Sequence, residues 1–329
     1  MALNYDNITA ICQAKYIPKM ADNIFNSSLL LKKMRARPDV LTGGTKIIEP
    51  LLYAKGRAGW YSEWDLLDVS PKETRTAAEF EWKDVYANMT ISKQQENKVT
   101  GDEAVLNLIQ TESTIAEKSI IDQVSTALFS DGTDTTTAHG LRHIIGYDRT
   151  LGGIDSSTYT WWDANVAVDI NSNYSTTNLT AGNLADPTSD YYLPKVMRKA
   201  WIKCIHGGEM PDLVVVSDGL YDLYEQVSEG KQDFPLTASV KYAADLGFEV
   251  LNFKGRPVIY DEYCPGSYMF FINTNYLLLR IRSTDNFTMG EWQKPANQQT
   301  RMAQITCELQ FTTNNSRYHG KIQVASAVD

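Results

Sequence analysis

The 329-residue chain is poor in the residues on which much protein chemistry depends. Its four cysteines, Cys12, Cys204, Cys264 and Cys307, are widely separated and form no CxxC pair, which argues against a disulfide framework or a thiolate zinc site. No secretory signal is read at its start, so free thiols in a reducing cytoplasm are expected. Sequons such as Asn7-Ile8-Thr9 and Asn178-Leu179-Thr180 then carry no weight. No apolar run is long enough to span a bilayer, which excludes a helical membrane anchor within this sequence. Basic charge is also short. With 31 Lys and Arg against 40 Asp and Glu, the net charge is −9, which disfavours gripping nucleic acid through a basic surface.

Catalytic signatures are equally scarce. No GxxxxGK[ST] or GxGxxG is present to cradle phosphate. His139 and His143 have a spacing that can place two imidazoles on one helix face, but Gly140 lies between them and no HExxH glutamate accompanies them. Asp131-Gly132-Thr133-Asp134 lacks the closing Glu of a calcium hand and reads as a helix end followed by a turn. Ser217-Asp218-Gly219 follows a buried strand without a GxSxG elbow, and reads as a helix cap. Glu79 and Glu81 share a strand face, where exposed strand charge is the simpler account than acid–base work. The reading assigns no catalytic, cofactor-binding or metal-binding residue.

What is present is an ordinary folded composition, 43% hydrophobic and 22% charged, with length for one core or two subdomains. The longest periodic stretch is Thr100–Gly132, where Val105, Leu108, Ile109, Ala116, Ile120, Val124, Ala127 and Leu128 recur at helical spacing. Thr100 is placed to cap it, Glu103 to complete a capping box, and Gly132 to stop it. Asn107, Thr114, Lys118, Asp122 and Ser125 form the opposite face, and Glu112 falls inside the apolar stripe and needs a partner or a water-facing gap. The pattern predicts an amphipathic spine roughly 40 Å long.

Ahead of the spine, residues 1–44 are polar and mixed, with short helices at Ala10–Ile17 and Leu29–Met34, and read either as an arm on a neighbouring surface or as a loosely packed terminal helix. Residues 45–92 read as a long β-hairpin, TKIIEPLLY going out and AAEFEWKDVYANMTIS returning as one strand. Its tip mixes Trp60, Tyr61 and Trp64 with Arg57, Lys72 and Arg75, and an isolated ribbon of this kind is marginal in water without a partner. Residues 133–190 are polar and predict loops and short strands, and a helix follows at Tyr191–Ile205. Residues 210–285 predict a compact mixed α/β subdomain: strand MPDLVVVSD, helices GLYDLYEQVSEG and TASVKYAADLGF, then strands EVLNF, RPVIYD, SYMFFIN and YLLLRIR. In the tail, MAQITCELQFTT and HGKIQVASA predict two strands joined by the turn Asn314-Asn315-Ser316.

This order of elements resembles the major capsid proteins of tailed bacteriophages, an α+β fold of the Hong Kong 97 type. The residues that carry the resemblance are Gly207-Gly208, Pro211-Asp212-Leu213-Val214-Val215-Val216-Ser217 and Tyr221, which look like the start of that family's axial domain. Phe253, Gly255, Pro257, Tyr260-Asp261, Cys264-Pro265-Gly266 and Tyr268-Met269-Phe270-Phe271-Ile272-Asn273-Thr274 are similar to its second half, and Trp161-Trp162 is a weaker marker. The resemblance implies an N-terminal arm (1–44), an extended hairpin loop (45–99), a peripheral domain (100–209 and 286–329) and an axial domain (210–285). It implies a structural protein, not an enzyme, that self-assembles in pentamers and hexamers into the icosahedral shell of a virion, in a host bacterial cytoplasm. The shell would enclose DNA without sequence-specific binding, with scaffold and portal proteins as further partners. Arg57, Trp60, Tyr61, Trp64, Lys72 and Arg75 become the candidate inter-subunit contacts. No long scaffolding region precedes the arm, so a separate scaffold or a cleaved precursor is expected, and no residue pair identifies a lysine–asparagine crosslink. Three other readings compete: an encapsulin-type compartment, a carbohydrate-binding or adhesive module using Trp60 and Trp64, and a hydrolase built on Ser217.

Overall fold

A computed structural model describes residues 28–35, 39–98, 102–166, 179–228 and 251–325. The helices expected at 10–17 and 237–248, and the Thr100 cap, lie outside these residues. The helices are α1 (Leu29–Arg35), α2 (Lys93–Lys98), α3 (Asp102–Leu128), α4 (Leu141–Ile144), α5 (Ala181–Ala185), α6 (Leu193–Lys203) and α7 (Asp218–Ser228). The spine is α3, and Ile109, Ala116, Ile120, Val124 and Leu128 form its buried stripe. Glu112 on that stripe is half-buried.

Two sheets share the body. The first runs β1 (Asp39–Leu41), β12 (Leu277–Arg282), β14 (Thr300–Thr313), β13 (Thr288–Met289), with β4 (Lys83–Ser92) on the opposite edge of β14. The second runs β7 (Asn165–Val166), β15 (Gly320–Gln323), β11 (Tyr268–Ile272), β8 (Leu213–Val216), β10 (Arg256–Tyr260), β9 (Leu251–Phe253). The central strands β8 and β11 are buried at every residue, as strands covered on both faces should be. The main core lies around α3 and the first sheet, while α6 and α7 pack a second core against Val214, Val216, Met269 and Phe271.

Three expectations are corrected by this architecture. Part of the stretch read as arm packs into the body: Leu29, Leu30, Leu31 and Met34 of α1 are buried in the main core, and β1 pairs in parallel with β12. The return half of the hairpin is two strands. β3 (Arg75–Glu81) pairs with β2 (Lys46–Leu52), whereas β4 leaves at Trp82 and pairs with β14 from Lys83↔Leu309 to Ser92↔Thr300. Trp82 is held at this break by its own Nε1–H, which donates to Gly44 O at 3.2 Å, and by Arg282 lying 4.8 Å from its ring centroid. The buried face changes phase across it, from Ala78 and Phe80 to Ala87, Met89 and Ile91. Leu277–Arg282 does not belong to the block 210–285; it joins the first sheet as β12. The two tail strands lie on either side of the expected turn, β14 in the first sheet and β15 crossing to the second beside β11.

The crossing is fixed by His319, which is fully buried. Asn273 N–H donates to its Nδ1 at 3.3 Å, and its Nε2 lies 3.4 Å from Thr313 Oγ1. A ring accepting at Nδ1 is neutral, and burial pushes its pKa down to about 4. In the unfolded chain His titrates near ~6.5. The unfolded state therefore binds the extra proton first, so this stability is complete above about 6.5 and is lost as pH falls toward 4. We expect the urea midpoint to drop between pH 6.5 and 4.5, with a shallower acid dependence in His319→Asn; an equal slope in that variant would rule out His319 as a contributor.

Candidate assembly surface

The β2–β3 stem lifts residues 53–74 off the body as an irregular loop. Its root is built from a charge inside an apolar face. Along β2, Ile47, Glu49 and Leu51 alternate inward, so a carboxylate is buried between two aliphatic side chains. Arg280 from β12 meets it in a two-pronged pair, Nε to Oε1 at 2.7 Å and a terminal nitrogen to Oε2 at 2.9 Å, and Thr312 Oγ1 of β14 donates to Oε1 at 2.9 Å. On the outer face of the stem, Lys46 pairs with Glu79 at 2.8 Å, and the exposed Lys46 cation is stabilised first by that hydrogen bond and then by the charge. The stem also leans on the small hairpin β5 (Thr150–Leu151) and β6 (Ile154–Asp155), through Glu79 N–H to Gly152 O at 2.9 Å. Gly152 has φ +61, and a Cβ there would lie 2.7 Å from the Ala78 Cβ, so the turn reaches β3 because it has no side chain. Tyr53, where the loop begins, stacks on Trp161 at 5.2 Å.

Beyond that root the loop has little covering it. All six candidate contacts, Arg57, Trp60, Tyr61, Trp64, Lys72 and Arg75, are exposed. Trp60 is 105% and Trp64 90% accessible, values for side chains that touch almost nothing of their own chain. Leu66, Leu67 and Val69, which sequence reasoning did not single out, are exposed beside them. The loop is tied internally by an Arg57–Asp68 ion pair and by Ser62 N–H donating to Asp65 Oδ2 at 2.7 Å. A run of large apolar groups in water on a rigid stem is the mark of a surface meant to be covered.

The other candidate chemistry disperses. The His139 and His143 rings stack at 4.9 Å, and burial keeps both pKa values low, His139 at about 4. Among the described residues no group of three or more His, Cys, Asp or Glu could hold a metal ion. Asp131 Oδ1 accepts from Thr133 N–H and Oγ1–H, bonds that hold its carboxyl below the usual range. Ser217 is fully buried and its hydroxyl has no hydrogen-bond partner, so no base is positioned to activate it. Cys204, Cys264 and Cys307 are buried free thiols; burial pushes Cys204 and Cys307 up to about 12. No helix among the described residues is long and apolar enough to cross a membrane.

No protein-family model and no curated protein matches the chain. Solved structures do. A chain of the cyanophage A-1(L) capsid asymmetric unit is 15% identical with a TM-score of 0.61, covering 92% of this chain and 95% of its own. A chain of the capsid of a native GTA particle is 10% identical with a TM-score of 0.54, covering 89% and 90%. A chain of the holo-SrpI encapsulin complex from Synechococcus elongatus PCC 7942 is 8% identical with a TM-score of 0.50, covering 89% and 85%. At such identities the likeness defines the fold: the chain has the α+β fold of these shell-forming proteins over 89–92% of its length.

The buried pair makes the root testable. Glu49→Ala leaves the Arg280 guanidinium unpaired in the core and is expected to cost about 3–5 kcal/mol in urea unfolding. Replacing both partners together, Glu49→Leu with Arg280→Met, should cost clearly less.

Proposed function

We propose that the chain is a structural protein that assembles with copies of itself, in pentamers and hexamers, into the icosahedral shell of a tailed-phage virion. The observation that carries the reading is the projecting loop: a stem anchored in the core presents Trp60, Tyr61, Trp64 and Leu66 to water with no cover from its own body. The fold shared with capsid chains supports it. So does the net charge of −9, because a wall that does not bind DNA lets a packed genome slide past it. On this reading the chain is not an enzyme, assembly takes place in the host bacterial cytoplasm, and scaffold and portal proteins are its further partners. The likeness to an encapsulin supports a second reading, a compartment filled with a protein cargo.

Expressed with its scaffold where one is needed, the protein should give capsomers or closed shells in electron micrographs. A monodisperse monomer under all assembly conditions would refute the shell reading, and shells filled with an enzyme instead of DNA would select the second. Trp60→Ala with Trp64→Ala should leave the monomer's unfolding free energy within about 0.5 kcal/mol, as exposed positions do. The same pair should raise the concentration needed for assembly by tenfold or more, since buried aromatic contacts are typically worth ~2 kcal/mol or more at an interface.

A further inference from the structure

A cavity of about 150 Å³ lies where the start of α1, the spine α3 and the end of β10 meet. Ser28 lines it from α1, Ser125 from α3, and Asp261 and Tyr263 from the turn after β10. The Asp261 carboxylate accepts from Ser28 Oγ–H at 2.8 Å through Oδ2, and from Tyr263 N–H at 3.1 Å through Oδ1. Ser125 is only 1% exposed, and its hydroxyl has no hydrogen-bond partner in the protein. A hydroxyl inside a helix commonly donates to the carbonyl one turn back. Thr114 and Ser119 of α3 do so, to Gln110 O and Ile115 O. Ser125 makes no such bond, and the cavity it lines is left to serve its hydroxyl.

Charge sets this wall apart from the rest of the interior. Glu49, Asp163, Asp212 and Glu308 each have an Arg or Lys within 4.0 Å. Asp261 has none among the described residues, and the charge it feels is that of Glu262, of the same sign. Burial pushes its pKa up, and the Ser28 and Tyr263 hydrogen bonds only oppose that rise. Tyr263 in turn hydrogen-bonds Asp122 on the spine, so a third carboxylate stands one side chain away. Water in the cavity can serve the Ser125 hydroxyl, but it cannot offset the negative charge gathered there. A cation does both.

We propose that this cavity binds a hydrated divalent cation of the magnesium class, held by the Asp261 carboxylate and the Ser125 hydroxyl. No three His, Cys, Asp or Glu side chains converge among the described residues, which argues against a dehydrated cage of the zinc or calcium kind. Magnesium keeps several of its waters and takes one or two carboxylates, and the cavity has room for the ion and waters together. The bound ion ties α1 to the spine and to the end of β10, and so joins the main core to the second sheet. All of its ligands come from one chain, so the site is independent of the shell reading.

The test titrates Mg²⁺ alone into the unassembled full-length protein after it has been stripped with EDTA. The expected result is a saturable rise in melting temperature, because the ion binds the folded state, with one ion bound per chain by equilibrium dialysis. Asp261→Asn keeps an acceptor for Ser28 and should melt like the stripped parent, yet bind Mg²⁺ at least about tenfold more weakly. Ser125→Ala should weaken binding in the same direction, and Asp222→Asn, on the exposed face of α7, should leave it unchanged. The absence of any Mg²⁺ response in the parent, or an undiminished response in Asp261→Asn, would overturn the site and leave the cavity to water. If Asp261→Asn does not fold, unaltered Mg²⁺ affinity in Ser125→Ala overturns it instead.

Discussion

The Glu49–Arg280–Thr312 contact sets where the projecting ribbon stands. It joins β2 to two strands more than two hundred residues further along the chain, and both charged side chains are buried. A buried ion pair is a weak source of net stability, because desolvating both charges offsets most of their attraction. Its strength is in selection. Any register of β2 that moved Glu49 off Arg280 would leave two uncompensated charges in the core, whereas Ile47 and Leu51 could slide past aliphatic neighbours at far smaller cost. The stem is therefore fixed in one position on the first sheet, and the loop it carries is aimed by that choice.

The loop and its root divide labour in physical terms. At the root, charge pairing, the Gly152 contact on β3 and the Tyr53–Trp161 stack hold the chain through several independent interactions. At the tip there are few internal bonds, and the apolar side chains have no neighbours of their own. Binding such a loop costs ordering entropy but relieves a hydrophobic exposure that no contact among the described residues relieves. Negative charge over the remaining surface limits random association of these sticky tips, since like-charged bodies approach only where the local contact outweighs their repulsion.

Much of this was legible from residue patterns and some of it was not, for identifiable reasons. The spine stripe was readable because helical periodicity is a local property, and Ile109, Ala116, Ile120, Val124 and Leu128 are all buried where it put them. The aromatic tip was readable because Trp60 and Trp64 sit among turn residues and charges. Strand pairing was not, because a period of two tells which face a residue takes but not which strand lies beside it. Thus β12 was placed in the wrong block, and AAEFEWKDVYANMTIS hid a break at Trp82 whose signal was a change of phase. Glu49 was visible as a lone acid within an apolar alternation, yet nothing local pointed to Arg280.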